Sequence, residues 1–594
     1  MIRTTFSDQL HAEKYRGERE SFKEAMSRIS GALTETKEEF HAFRDPLLGV
    51  RFMPGGRIQA SMGATKRVTP YNCFVSGKIE DSFVDGDGSI MARAIMAAAT
   101  MRMGGGIGYD FSSLRPSGDL IRKLGSRSSG PVSFMEIYDA VCRCIASAGH
   151  RRGAQMGVLR VDHPDIEKFI HAKQPGKVAD PIFEMMDKCT PGSPEWNQWN
   201  DVLQEILGLT GFNLSIGITN KFMECLATGK PFKLRWGGRV YREIDAQALW
   251  EMIMRATWDW AEPGVIFIDT INQMNNLWYC EQILATNPCG EQPLPPFGAC
   301  LLGSFNLPKY LVPSLTGGVT FDWEQFIADI PPVVRAMDNV VDTAIYPLYE
   351  QEQEAKNKRR MGLGITGLAN ALEVLGMPYG SPRFLDMEAE ILDVLNREAY
   401  RASALLAKEK GAFPLYDEEK YLQGKFIQTL DLKTQGMIKK YGIRNSHLTS
   451  IAPTGTISLC ADNVSSAIEP VFAYEYDRTI QTPTGAKIVP VQDYALMEHG
   501  VRGKQCKDVT VDEHVDVLLT AAKRVDSAVS KTCNVPADTD WDDFKSIYVR
   551  AWEGGAKGCT TYQVGGKRFG ILNTNEDGAA SCRIDPTTGR KECD

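Results

Sequence analysis

Ala285-Thr286-Asn287-Pro288-Cys289-Gly290-Glu291-Gln292 is the stretch on which the reading of this chain turns. It sets an amide, a thiol and a carboxyl group at alternate positions of a segment that resists helix formation. Proline pushes the residue before it out of helical geometry, and glycine opens backbone angles that other residues avoid. In an extended segment side chains two apart share a face. The spacing therefore predicts Asn287, Cys289 and Glu291 pointing at one substrate, against the plainer reading of a loop with a structural thiol.

Two further thiol motifs flank it, Tyr71-Asn72-Cys73-Phe74-Val75 upstream and Gly298-Ala299-Cys300-Leu301 downstream. Farther along, Ile451-Ala452-Pro453-Thr454-Gly455-Thr456-Ile457-Ser458 offers hydroxyls and glycine-freed amides of the kind that cradle a phosphate, without a Walker lysine. Met103-Gly104-Gly105-Gly106-Ile107-Gly108 is glycine-rich, but it follows a helical-looking 90–103 and not a strand, which excludes a dinucleotide-binding fingerprint. Apolar runs at 156–161, 212–216 and 265–269 alternate with helical segments, the pattern of βαβ units and a parallel sheet. A long helix is predicted over Pro382–Lys410, stopped by Gly411. Phe22, Ala25, Met26, Ile29 and Leu33 recur at helical spacing, so residues 1–50 read as a small helical cap.

Composition narrows the function classes. The 594 residues are 24% charged and 43% hydrophobic, with no apolar run of membrane-spanning length, so a soluble globular protein without a membrane partner is expected. A net charge of −8 speaks against coating a nucleic-acid polymer and leaves room for a local basic pocket. Fourteen cysteines without a signal-like stretch after Met1 fit a reducing, cytoplasmic setting. No cysteine and histidine cluster has zinc spacing, so no metal site is expected.

Taken in order, the three thiol motifs and the phosphate-type loop resemble the catalytic chain of ribonucleotide reductases over about 51–572. That resemblance implies an α/β barrel of ten strands in two five-stranded halves, with Cys289 on a central finger loop. It also implies a redox tail at 573–594, while the polar segment 174–211 departs from it by its length and reads as an insertion. By the same resemblance Cys289 is a thiyl that takes the 3′ hydrogen, Glu291 takes the 3′-hydroxyl proton, and Asn287 holds the ribose hydroxyls. Cys73 protonates the leaving hydroxyl, and Cys73 with Cys300 supplies two electrons and closes into a disulfide. Cys582 and Cys593 would reopen it by exchange, fed by a thioredoxin or glutaredoxin-type reductant.

Ala60, Ser61, Asn72, Gly105, Pro453, Thr454, Gly455, Thr456 and Ile457 are implied to line the ribonucleotide. Asp81, Ser82, Arg127, Arg151 and Arg152 are implied to take a dNTP or ATP effector, in a family where effector sites commonly lie at a homodimer interface. On their own, Asp81 and Ser82 read equally as a helix cap, and Arg151-Arg152 as a solvated basic turn. The chain before Arg51 is too short for the longer activity domain of some family members, so overall control by ATP and dATP is not expected. Members fed by a separate radical subunit carry adjacent tyrosines where this chain has Thr561-Tyr562. This implies adenosylcobalamin as the radical source. Two alternatives stand beside it: a class I type catalytic subunit with a separate metal-containing partner, and a non-enzymatic nucleotide-binding regulator.

Overall fold

Strand and helix alternate along the chain largely as the apolar runs predict. The computed structural model describes residues 2–145 and 154–563, apart from 175, 187, 190–192, 316, 483 and 484. Arg151, Arg152, Cys582 and Cys593 lie outside the described residues. Ten strands share one sheet: β1 (Phe52–Pro54), β2 (Cys73–Val75), β3 (Gly106–Asp110), β4 (Gln155–Arg160), β5 (Phe212–Ile218), β6 (Gly264–Phe267), β7 (Ala299–Asn306), β8 (Met361–Thr366), β9 (Thr532–Val535) and β10 (Gly558–Gln563). Their order is β1-β7-β2-β3-β4-β5-β6-β10-β9, with β8 also paired to β7.

Strands β2 to β6 run parallel to one another, as do β7 with β8 and β9 with β10. Antiparallel pairing occurs where β7 meets β1 and β2, and where β6 meets β10. The five-stranded parallel block is thus bounded on both sides by an antiparallel seam. Isolated parallel bridges, Leu363 with Thr449 and Ile451 with Val529, carry the pairing onward from β8 toward the segment that enters β9. Parallel strands are covered on both faces and so read as continuous apolar runs; every residue of β7 and β8 is buried.

Helices pack around this sheet. Thr5–Tyr15, Phe22–Leu33 and Lys37–Leu48 precede β1, and the last two start at capping boxes, Ser21 with Glu24 and Thr36 with Glu39. The predicted stripe of Phe22, Ala25, Met26, Ile29 and Leu33 is buried in the main core. Pro382–Lys410 forms with the predicted bounds, its first turn capped by Ser381 and its end marked by Gly411. Within 174–211 lie two helices, Asp180–Met186 and Pro194–Ile206, with a small core of their own built on Ile182, Met186, Trp196 and Leu203.

Candidate active site

The segment 287–292 is a hairpin tip. Ala285–Thr286 pairs antiparallel with Pro293–Leu294, the Asn287 amide donates to the Gln292 carbonyl at 3.1 Å, and the Gly290 amide donates to the Asn287 carbonyl at 3.1 Å. Gly290 adopts φ 82°, which favours glycine. The Asn287 side chain also accepts from the Gln292 amide at 2.9 Å. The expectation of an extended strand is corrected here: chain reversal, and not alternation, brings Asn287 and Glu291 to one place.

The hairpin lies against β3 because β3 has no side chains in its way. A Cβ at Gly108 would sit 1.8 Å from the Thr286 carbonyl oxygen, and one at Gly106 would sit 3.1 Å from the Pro288 ring. The glycine run at 104–108 is therefore the notch that admits the finger, while Gly105 makes room for the Phe74 ring. Asn213 on β5 donates to the Pro288 carbonyl at 2.9 Å. The Glu291 carbonyl accepts from the Ala528 amide at 2.9 Å and from the Ser450 hydroxyl at 3.0 Å.

Beneath the tip, Cys73 on β2 stands directly opposite Cys300 on β7. Opposed residues of an antiparallel pair have Cα atoms about 4.5–5.5 Å apart, inside the range of about 4.4–6.8 Å that a disulfide needs. The Cys73 thiol donates to the Glu291 carboxylate at 3.7 Å and accepts from the Asn287 side-chain amide at 3.2 Å. Cys73 and Cys300 are buried and Cys289 is half-buried. Burial pushes the Cys73 thiol well up, and the Glu291 carboxylate pushes it the same way. Burial also raises Cys300, opposed chiefly by the Arg360 guanidinium. Four of the five expected catalytic residues thus converge by direct contact or strand pairing, and the fifth, Cys289, is on the same turn.

Among the expected nucleotide-lining residues, the Asn72 carbonyl accepts from the Gly106 amide at 2.8 Å, which ties it to the finger's notch. Ala452 packs in the same inner apolar cluster as Cys73 and Cys300, so Pro453, Thr454, Gly455, Thr456 and Ile457 leave from the wall of the site. Thr454 takes φ 56° and spends its hydroxyl on the Ala467 amide (2.7 Å) and on Thr366 (2.9 Å). Ala60 and Ser61 end the short helix Gly56–Ser61, where Ser61 donates to the Arg57 carbonyl at 2.7 Å. Asp81, Ser82 and Arg127 lie apart from the cysteines. Asp81 pairs with Arg115 at 2.7 Å, Ser82 accepts from the Asp85 amide, and Arg127 donates to the Gly118 carbonyl. The helix-cap alternative for Asp81 and Ser82 is not realised, because Ser89 caps Ile90–Arg102.

Residues that sequence reasoning missed stand on the far side of Cys300. Lys358, Arg359 and Arg360 are 8%, 4% and 3% exposed. Lys358 binds Glu281 and Glu354, each at 2.8 Å, and Arg360 binds the same two carboxylates. A run of three cations reads as a solvated turn, and the hint against it is the strand Met361–Thr366 that follows, which carries no charge.

The family model for the barrel domain of ribonucleotide reductase matches residues 71–513 and 503–562. The chain belongs to the ribonucleotide reductase family. It is 32% identical over 603 residues to a vitamin B12-dependent ribonucleoside-diphosphate reductase of Mycobacterium tuberculosis, covering 95% of this chain and 79% of that protein. It is 30% identical over 583 residues to a protein of the same description from Thermoplasma acidophilum, covering 93% and 68%. A vitamin B12-dependent ribonucleotide reductase of Streptomyces coelicolor is 28% identical over 521 residues, covering 77% and 53%.

In this member of the reductase family, Thr561 turns its hydroxyl to the Tyr548 hydroxyl at 2.8 Å in the core. Tyr562 is half-buried. Cys559 is opposite Val265, and Gly264 is beside Ser215. Tyr562 itself is opposite Asn534 on β9.

Proposed function

We propose that this chain is an adenosylcobalamin-dependent ribonucleotide reductase that converts ribonucleoside diphosphates to 2′-deoxyribonucleotides through a thiyl radical and oxidation of a dithiol. The observation that carries this reading is the convergence of Cys73, Cys300, Asn287 and Glu291 at the hairpin turn that bears Cys289. The relatives described as vitamin B12-dependent ribonucleoside-diphosphate reductases support the cofactor and the diphosphate substrate.

The residues present fit the cofactor. Thr561, and not a second tyrosine, precedes Tyr562, so Tyr562 has no phenol beside it in sequence to pass on an unpaired electron, and a radical made at the site itself is favoured. Half-buried Cys289 is the residue that would receive the unpaired electron. When bound, adenosylcobalamin supplies the unpaired electron from its cobalt–carbon bond. The chain's own residues do the rest. Cys289 takes the C3′ hydrogen and Glu291 takes the 3′-hydroxyl proton. Cys73, which burial and Glu291 keep protonated, gives its proton to the 2′-hydroxyl, which departs as water. Cys73 and Cys300 then deliver two electrons and the second thiol's proton to C2′ and join as a disulfide, Glu291 gives its proton back to the 3′ oxygen, and Cys289 returns its hydrogen to C3′.

Within the same proposal, the sheet closes into a ten-stranded barrel of two halves through 447–451 and 527–530. Residues 1–50 form a helical cap, 174–211 an insertion, and 573–594 a redox tail in which Cys582 and Cys593 pass electrons from a thioredoxin or glutaredoxin-type protein. A dNTP effector would bind near Asp81, Ser82 and Arg127, with Arg151 and Arg152 and a homodimer partner, and set substrate specificity. Among the described residues no helix is long and apolar enough to cross a membrane, and a cytoplasmic location goes with the free thiols.

Anaerobic reduction of CDP by the purified chain, with dithiothreitol, dNTP effectors and with or without adenosylcobalamin, tests the reading. Turnover is expected only with the cofactor, and none in Cys289→Ser. Turnover that ignores the cofactor and appears on adding a radical-generating subunit would move the chain to class I.

A further inference from the structure

The two sulfurs of the dithiol stand in unlike surroundings. Cys73 meets Glu291 and Asn287, as described. The Cys300 thiol donates to the Leu301 carbonyl at 3.4 Å, and the charge that opposes its burial is the Arg360 guanidinium. Leu301 on β7 is opposite Met361 on β8 in parallel register, so the preceding residues, Cys300 and Arg360, are neighbours across the two strands, whose axes are about 4.8 Å apart. Leu301 and Met361 face the main core, whereas Cys300 faces the inner cluster. Alternation along a strand turns Arg360 to that same inner side.

Arg360 is fixed there. Its guanidinium lies between Glu281 and Glu354, which Lys358 also binds, and its Nε is 3.4 Å from His447. Burial, with Arg360 itself, keeps His447 neutral. Burial raises the Cys300 thiol most; Arg360 works against it, and Asp526, Glu291 and Glu354 push the same way as burial. Asp526 already accepts from the Leu448 and Thr449 amides and the Tyr400 hydroxyl.

We propose that Arg360 is a positioning residue that makes Cys300 the sulfur released, and Cys73 the sulfur attacked, when the Cys73–Cys300 disulfide is reopened by a thiol. This rests on the reductase reading above. An incoming thiolate forms a bond to Cys73 Sγ. The Cys73–Cys300 bond breaks, and its electron pair stays on Cys300 Sγ as a thiolate beside the guanidinium. A second thiolate then attacks the external sulfur of the mixed disulfide, an external disulfide leaves, and Cys73 takes up a proton. Exchange runs faster through the better leaving thiolate, so the order is set by the charge beside Cys300. The last sulfur freed is the one that must be protonated for the next turnover.

The full chain, oxidised by one turnover with CDP, is treated briefly with substoichiometric cysteamine, quenched with N-ethylmaleimide, and mapped by peptide mass. Cysteamine is expected on Cys73 and maleimide on Cys300, with a preference of about tenfold or more. An even division, or cysteamine on Cys300, overturns the proposal. Arg360→Lys should keep the preference and Arg360→Gln should bring it near unity. Because Arg360→Gln strips a cation from two buried carboxylates and endangers folding, the ratio with Arg360 intact decides by itself. Because the tail thiols can carry the disulfide away, the mapping is done on the full chain with Cys582→Ser and Cys593→Ser. Failure to find any Cys73–Cys300 disulfide after turnover of that variant would defeat the reductase reading, whereas a disulfide opened at the other sulfur defeats only the role of Arg360.

Discussion

Two hairpins outside the ten-stranded sheet are held by opposite means. Pro231–Trp236 and Arg239–Asp245 pair over their whole length and turn through Gly237 and Gly238, at φ 56° and 78° with open space around both. Two consecutive positive φ values are what a tight two-residue hairpin turn requires. This hairpin has faces of its own, with Phe232 and Leu234 buried and Val240 44% exposed. The finger has two paired rows and no exposed ladder residue. A hairpin so short is not stable alone, so its shape is supplied by its walls: the glycines of β3, the amide of Asn213, and the Ser450 and Ala528 donors. A surface hairpin is written in its own sequence, and a catalytic one in the sequence of its neighbours.

Adding a single methyl group to the wall should break that comparison most severely. In Gly108→Ala the new carbon meets backbone, not a movable side chain, 1.8 Å away. Overpacking costs about 1–3 kcal/mol and sometimes more. A loss of about 3 kcal/mol in urea unfolding is expected, with CDP reduction lost in whatever fraction stays folded. Wild-type activity in this variant would show that the finger is not held by β3.

Next in size is a change to chemistry without a change to the wall. Glu291→Gln keeps the backbone carbonyl that Ser450 and Ala528 hold and removes only the proton acceptor. General-base groups contribute about 10²–10⁴-fold, so kcat should fall by about that factor while the unfolding midpoint stays close to that of the parent. Equal loss of stability and rate would mean that Glu291 supports the fold and not the reaction.

The long helix Pro382–Lys410 was legible because both ends carry local signals, Ser381 before the proline and Gly411 after the last turn. The finger was legible as a site and not as a shape. Gly290 permits an extended strand and a turn alike, and what selects the turn is the bond from its amide to the Asn287 carbonyl, inside a sheet the segment does not encode. The burial of Lys358-Arg359-Arg360 was not legible, since Glu354 gives Lys358 only an ordinary pair along one helix, while Glu281 and Asp338 are distant in sequence and meet the cluster only after folding. The side-chain cap of Ile90–Arg102 fell to Ser89, because the Ser82 hydroxyl is spent on the Asp85 amide and only the Ser82 carbonyl reaches the first turn, at the Ile90 amide. The segment 174–211 stood out by composition, and the buried Trp196 gives that composition its purpose in a separate small core.

The smallest effect is expected at the surface hairpin, and its smallness is the point. Gly237 has φ 56° and no atom within reach of an added side chain. Asparagine tolerates the left-handed region better than other side-chain-bearing residues, so Gly237→Asn introduces neither a clash nor a forbidden angle. Surface changes of this kind stay within about 0.5 kcal/mol. Urea unfolding and CDP reduction should both match the parent. The same substitution at Gly290, also at positive φ with open space beside it, preserves backbone geometry equally well. It places a polar side chain directly after Cys289, so it should leave stability alone and lower turnover. If the two asparagine variants behave alike in turnover, the tip is only a turn; if they diverge there while agreeing in stability, the finger differs from the surface hairpin in what it faces and not in how it bends.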